Sequence, residues 1–206
     1  ALISIEADSF TGSSLVSINI PSSIESLQDG WCNGTQNLTK IQISPENKHY
    51  KFLDESNQII VEKNNNNFDS IVFACRDITN VIIPKYIKNI SSYAFQYCQN
   101  LKNVEIPVDS ELRTIQKEAF YNTSIIRFVM PKKVIQFDNT SFNNCNKLEL
   151  FEIKEGSELQ SIPDRTFNCI ESLKTVILPE KSSIKTIGKY CFSVTNIESI
   201  FIPESI

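Results

Sequence analysis

The sequence predicts an α/β-type solenoid, a stack of similar short units rather than a globule with one closed core. Two observations carry that prediction. A block of similar residues recurs along the chain, and almost every copy ends in a short apolar run closed by proline. A third agrees with them. The 206 residues are 41% hydrophobic, as in a folded protein, yet contain only 5 Gly.

The block from Ile115 to Pro131 recurs from Ile90 to Pro107, from Ile162 to Pro179 and from Ile187 to Pro203. Each copy has an apolar residue, an aromatic five positions later, a Leu or Ile five or six further on, and then an apolar-x-x-apolar-x-apolar run. The aromatic column reads Phe10, Phe95, Phe120, Phe142, Phe167 and Phe192, with Cys32 in that place in the second copy. From Phe95 onward the spacings are 25, 22, 25 and 25 residues, inside the window of about 20 to 29 typical of leucine-rich repeats. One such unit cannot bury its own apolar face, so the copies must stack and share an interior in which the Phe column forms a ladder.

Each repeat contributes one short parallel strand. In Leu101–Ile106, Val104 and Ile106 alternate with polar residues, the period of a strand with one wet face. Proline follows at 21, 45, 84, 107, 131, 179 and 203, with Lys154 in its place once, and a residue without an N–H ends a ladder. Eight strands result, near residues 15–20, 38–43, 78–83, 101–106, 125–130, 148–153, 173–178 and 197–202. They line the concave face of a right-handed superhelix, and the convex side is expected to be irregular or short helical. Residues 1–206 then form a single solenoid. From Pro45 to Pro84 the interval is 39 residues, so the segment 46–77 carries an insertion. Its two β-rich runs, Ile59–Val61 and Ser70–Phe73, flank Asn64–Asn67, and asparagine tolerates left-handed backbone angles, so a β-hairpin is predicted there. Neither end carries the polar terminal repeat that shields the last layer of a solenoid, which suggests a piece of a longer array or ends covered by partners.

Charge narrows the function. With 20 Lys plus Arg against 24 Asp plus Glu, the chain has a net charge of -4 and no basic patch for phosphate backbones, so nucleic acid is not expected as a partner. No stretch approaches the roughly 18 to 20 apolar residues of a membrane-spanning helix, and the first residues lack a signal pattern. Membrane insertion by this segment is not expected. The single histidine, His49, lies in the insertion and reads as an exposed loop residue. No Cys-x-x-Cys pair, phosphate-binding Gly-rich loop or zinc-type spacing occurs, so no catalytic residue, metal or cofactor is expected. The six cysteines read as buried free thiols. Cys98 and Cys145 stand two repeats apart, too far for a disulfide, whereas Cys145 and Cys169 sit in adjacent repeats at nearly matching places, which leaves a disulfide between them open as the less favoured reading.

Asn33, Asn37, Asn89, Asn122 and Asn139 are glycosylation sequons, barely more than chance supplies in a chain with 20 Asn and 35 Ser plus Thr. The candidate binding residues lie on the outward column of the strands. That column reads Asn19, Gln42, Ile82, Glu105, Val129, Glu152, Ile177 and Phe201, with Arg127, Leu150 and Ile126 beside it. Its C-terminal half is unusually apolar for an exposed face, which marks an interaction surface, although β-branched residues also stack well in sheets for structural reasons alone.

The repeat resembles the BspA-like leucine-rich repeat, the Treponema pallidum type. The motif residues are Ile187-Gly188, Ala94-Phe95, Ala119-Phe120, Cys98, Cys145 and the apolar-Pro endings. The Gly occurs only at 188, being Ser91, Gln116, Asp138 and Pro163 elsewhere. The resemblance implies a surface or secreted protein of a bacterium or mucosal protist, engaged in adhesion to host proteins or cells. The expected function is therefore a non-catalytic protein-binding module at the cell surface, with the five sequons as glycosylation candidates. The alternative is a cytoplasmic scaffold repeat that bridges the subunits of a larger assembly.

Overall fold

The computed structural model describes residues 1–181, 183–204 and 206. Among them it contains seventeen β-strands and no helix. Seven of the eight anticipated strand regions hold a strand: β2 (Ser17–Ile20), β4 (Lys40–Ile43), β8 (Asn80–Ile82), β10 (Asn103–Glu105), β12 (Arg127–Met130), β14 (Leu150–Ile153) and β16 (Thr175–Ile177). They pair in parallel as β2-β4, β8-β10 and β12-β14-β16, and we call this the first ladder. The eighth expectation fails. Residues 197–202 form no strand, although Ile197 and Ile200 pack against the core.

The expectation of an α/β class with short helices on the far side is overturned, since the described residues form only strands, turns and coil, and with it that of one strand per repeat. A second ladder of mostly two-residue strands runs along the stack: β1 (Ser4–Ile5), β3 (Ser26–Leu27), β9 (Asn89–Ile90), β11 (Thr114–Ile115), β13 (Gln136–Phe137), β15 (Ser161–Ile162) and β17 (Thr186–Ile187). All pair in parallel with a neighbour of their own kind. A helix could not form here because the backbone reverses hand on either side of the aromatic. The residues two before and two after it have positive φ: Tyr93 (63°) and Tyr97 (59°) around Phe95, Arg165 (57°) and Cys169 (60°) around Phe167, and Gly30 and Gly34 around Cys32. Only around Phe142 does one member, Asn144, stand alone. The left-handed region does not propagate as a helix for L-residues. These turns bond to one another instead: Tyr93, Phe95 and Tyr97 donate to the carbonyls of Lys117, Ala119 and Tyr121 at 2.8–2.9 Å. The stack is thus held by two strand ladders and a seam of turns.

Between them lies the aromatic spine. Phe95, Phe120, Phe142 and Phe167 are fully buried. Successive rings, ending on half-buried Phe192, stack at 5.1, 5.6, 6.3 and 5.5 Å between centroids. Phe128 and Phe151 of the first ladder meet the spine edge-on, at 4.8 Å from Phe142 and 4.5 Å from Phe167.

The insertion is a three-stranded antiparallel meander, β5 (Tyr50–Phe52), β6 (Ile59–Asn64) and β7 (Asn67–Ala74). Asn65 and Asn66 make its tip with φ of 45° and 73°, the two positive angles of a type I′ turn. The last strand then enters the second ladder, pairing in parallel with β9 through Ser70↔Asn89 and Ile71↔Ile90. The insertion also divides the core in two. One cluster gathers Trp31, Cys32, Tyr50, Phe73 and Cys75, and the other holds the spine. Across the division the side chain of Gln96 accepts from Gly34 N and donates to Asn33 Oδ1. Buried Arg76 donates to the carbonyls of Thr35, Ala74 and Ala94, with its guanidinium 4.3 Å from the Phe73 ring centre.

Candidate functional site

Outward residues of the first ladder fall in registered rows. Ile82 pairs with Glu105, and Val129 with Glu152 and then Ile177. Arg127 pairs with Leu150 in the flanking row. Every second residue of a strand faces the same way, so this register puts the anticipated column on one surface. Exposure differs along it. Ile82 and Phe201 are 63% and 61% exposed and Ile177 44%, with Ile126 beside them at 45%. Val129 and Leu150 are half-buried. Phe201 is exposed but lies in coil rather than on a rung.

The middle of the column is ionic. Glu152 accepts from Arg127 at 2.5 Å and from Lys154 at 2.6 Å. The Lys154 hydrogen bond, seconded by Arg127, holds its carboxyl below the usual carboxylate range. The face is therefore two apolar ends, Ile82 and Ile177 with Ile126 nearby, joined by a charge-paired centre. Exposed pairs of this kind contribute little to stability, about 0–1 kcal/mol, and act mainly on orientation and partner choice.

The five sequons divide sharply. Asn37 and Asn139 are exposed. Asn89 is engaged, its amide donating to Ser70 Oγ at 3.0 Å and accepting from Thr114 Oγ1 at 2.8 Å. Asn33 accepts from Gln96, and Asn122 is half-buried with a positive φ. His49 is half-buried rather than exposed, its N–H bonded to the Asn47 side chain. All six cysteines are free, including Cys145 and Cys169. Cys169 is exposed, against the expectation of a buried thiol, because it stands two residues after Phe167, where Cys98 and Cys145 stand three after their Phe and the buried place falls to Ile170. Burial pushes the thiols of Cys98 and Cys145 up to about 11. Among the described residues no group of three or more His, Cys, Asp or Glu could hold a metal ion, and no helix is long and apolar enough to cross a membrane.

What sequence reasoning missed is the outward row of the second ladder. Glu62, Ser70, Asn89, Thr114 and Gln136 stand in register across five strands. The available signal was the polar residue preceding the repeat's first apolar position, in Asn89-Ile90, Thr114-Ile115, Gln136-Phe137, Ser161-Ile162 and Thr186-Ile187.

A solenoid with paired ladders, an internal Phe spine and a broad exposed sheet defines a repeat protein whose surfaces, not an enclosed centre, are what it offers. The chain belongs to the BspA type leucine rich repeat region family, whose model of six copies matches residues 1–102, 46–149 and 113–206. No curated protein matches it. Among solved structures it is similar to a leucine-rich repeat protein from Eubacterium ventriosum, with a TM-score of 0.81 and 24% identity over 99% of this chain and 59% of that one. A leucine rich cell surface protein from Faecalibacterium prausnitzii gives 0.63 and 20% over 85% and 51%. The pneumococcal vaccine antigen PcpA gives 0.61 and 18% over 91% and 60%. The chain thus spans between half and three-fifths of these neighbours, and the likeness is one of fold.

Proposed function

We propose that the chain is a non-catalytic adhesion module, displayed at a cell surface, that binds an extracellular or host protein through the outward face of the first ladder. The observation that carries this reading is the registered surface itself. Ile82, Ile177 and Phe201 are largely exposed beside a Glu105, Arg127 and Glu152 set able to orient a partner. Apolar anchors with a charged surround are the composition of a recognition surface rather than of a solvated one. Family membership supports it, as does likeness to a neighbour named as a cell surface protein and to one named as a vaccine antigen. Glycosylation, where it occurs, falls on Asn37 and Asn139, whose side chains are free to carry a glycan.

The test is binding of fluorescently labelled chain to cultured epithelial cells. A Val129→Asp plus Ile177→Asp variant that keeps its circular dichroism and loses cell binding supports the reading. Undiminished binding sinks it. A second reading, an intracellular scaffold bridging assembly subunits, is favoured by the six unpaired cysteines, since extracellular proteins tend to pair theirs. Antibody access on intact against permeabilised cells separates the two.

A further inference from the structure

The second ladder carries a site of different chemistry. Where the meander enters the stack, its sheet and the turn Leu27–Trp31 enclose a cleft of about 720 Å³. The floor is the polar row Glu62, Ser70, Asn89, Thr114 and Gln136. These side chains hold one another. Thr114 Oγ1 donates to Asn89 Oδ1 at 2.8 Å, Asn89 Nδ2 to Ser70 Oγ at 3.0 Å, and Asn64 Nδ2 to Ser70 Oγ at 2.7 Å. Glu62 is fixed by the Tyr50 hydroxyl at 2.9 Å, which itself accepts from Leu27 N at 2.7 Å. One wall is pinned from beneath, where buried Ser92 donates to Asp29 Oδ2 at 3.1 Å.

We propose that this cleft binds a neutral oligosaccharide. Most of the lining residues carry hydroxyls, amides or carboxylates, set beside apolar Leu27, Trp31, Val72 and Ile115, and these polar groups offer the alternating donors and acceptors that a chain of sugar hydroxyls requires. Its charges are Asp29, Glu62 and Asp138 against Lys117 alone. Phosphorylated, sulfated or uronate ligands are disfavoured by that balance, because like charges in a recessed site repel. Parallel rungs stand about 4.8 Å apart, so the four from Ser70 to Gln136 span roughly 14 Å, close to the reach of three linked sugar rings. Because the floor groups are already bonded to each other, they lose little freedom on binding. Gln136, at the exposed end of the row, makes no side-chain hydrogen bond among the described residues and is free to bind a sugar hydroxyl. The site lies on the other ladder from the protein-binding face and does not depend on that reading.

The experiment is titration of the chain with a panel of neutral trisaccharides (β-linked and α-linked glucose, mannose, xylose and N-acetylglucosamine), read by calorimetry and by ligand-observed saturation transfer. Each is paired with a uronic acid or sulfated counterpart. The expected result is that at least one neutral trisaccharide binds at about millimolar affinity or better and its anionic counterpart at least about tenfold more weakly. A Thr114→Val plus Gln136→Ala variant should weaken binding by about tenfold, the worth of one to two hydrogen bonds. Should that variant fold poorly, Gln136→Arg, at an exposed position, obstructs the same row without touching the core. No binding across the panel, preference for the anionic sugars, or unchanged affinity in a correctly folded variant each overturns the proposal.

Discussion

Phe142 is the hub of the core, and truncating it tests the stacking argument most severely. Its fully buried ring meets Phe120, Phe128, Phe137, Phe151 and Phe167 at centroid distances between 4.8 and 6.3 Å. A buried aromatic removes on the order of 150–200 Å² from water, which at about 25 cal/mol per Å² is about 4 kcal/mol, matching the usual 3–5 kcal/mol for Phe→Ala. Phe10 is only half-buried and its one ring neighbour is Trp31 at 6.4 Å, so Phe10→Ala should cost about 1–2 kcal/mol. The single Trp of the chain lies in the N-terminal cluster, which lets two probes read two places. In urea unfolding, Phe142→Ala should lower the midpoint by far-UV circular dichroism more than the midpoint by Trp fluorescence, and Phe10→Ala should do the reverse. That crossed pattern follows because each repeat couples only to its neighbours. A cost below about 1 kcal/mol for Phe142→Ala would refute the spine. Equal shifts of both probes in both variants would refute the local coupling.

Three further outcomes follow from the same geometry. Val194 is a β-branched residue at φ 56°. Val194→Gly should therefore raise the thermal midpoint, equivalent to about 1 kcal/mol, and no gain would mean the turn is unstrained. Gly188 faces the backbone of Pro163 and Asp164 so closely that a Cβ would collide with it, so Gly188→Ala should destabilise by more than about 1 kcal/mol, measured by the same melt. Burial raises the thiols of Cys75, Cys98 and Cys145 to about 11 and Cys191 to about 12. A raised folded value means stability is fully present below the unfolded thiol pKa, about 8.5, and is lost as pH climbs through the folded one. The native chain should accordingly lose stability between about pH 8.5 and 11, and at pH 8 a thiol reagent should label Cys169 alone until urea is added. Rapid native labelling of a second cysteine contradicts this.

The first ladder was legible because its signals are redundant. Apolar alternation, the proline stop and the regular Phe spacing all point to one strand register, and Ile82↔Glu105 and Val129↔Glu152↔Ile177 follow from it. The second ladder was not legible, because two-residue strands such as Thr114–Ile115 are too short to show any period. What builds them is not local preference but the neighbour: Asn89, Thr114 and Gln136 are in extended backbone because each has a copy of itself one repeat away. The left-handed residues hid for a similar reason. Gly12, Gly30, Gly34, Gly156 and the Asn positions announce a positive φ, whereas Tyr93, Tyr97, Arg165 and Tyr190 adopt it without a compositional sign. Bulky residues accept that strain because the turns are bonded to the next repeat, as Tyr97 is to Tyr121.

That difference in legibility also separates the two faces by what they can do. The first ladder's strands are three or four residues long, so each rung presents two outward residues whose type the core leaves free, such as Arg127 and Val129 or Leu150 and Glu152, and apolar and charged side chains alternate along the column from Ile82 to Ile177. The second ladder's rungs expose a single residue before the chain turns inward at Ile90, Ile115 or Phe137, all buried. A short polar side chain at that position can satisfy its neighbour across the rung, as Thr114 does Asn89 and Asn89 does Ser70. An apolar one would leave those neighbours without partners, at about 1–3 kcal/mol for each buried group. The stack therefore selects polar residues on this row for its own cohesion, and a hydrogen-bonding surface results wherever the row is left open. Between the meander and the Leu27–Trp31 turn the row is left open, and the cleft of about 720 Å³ lies there.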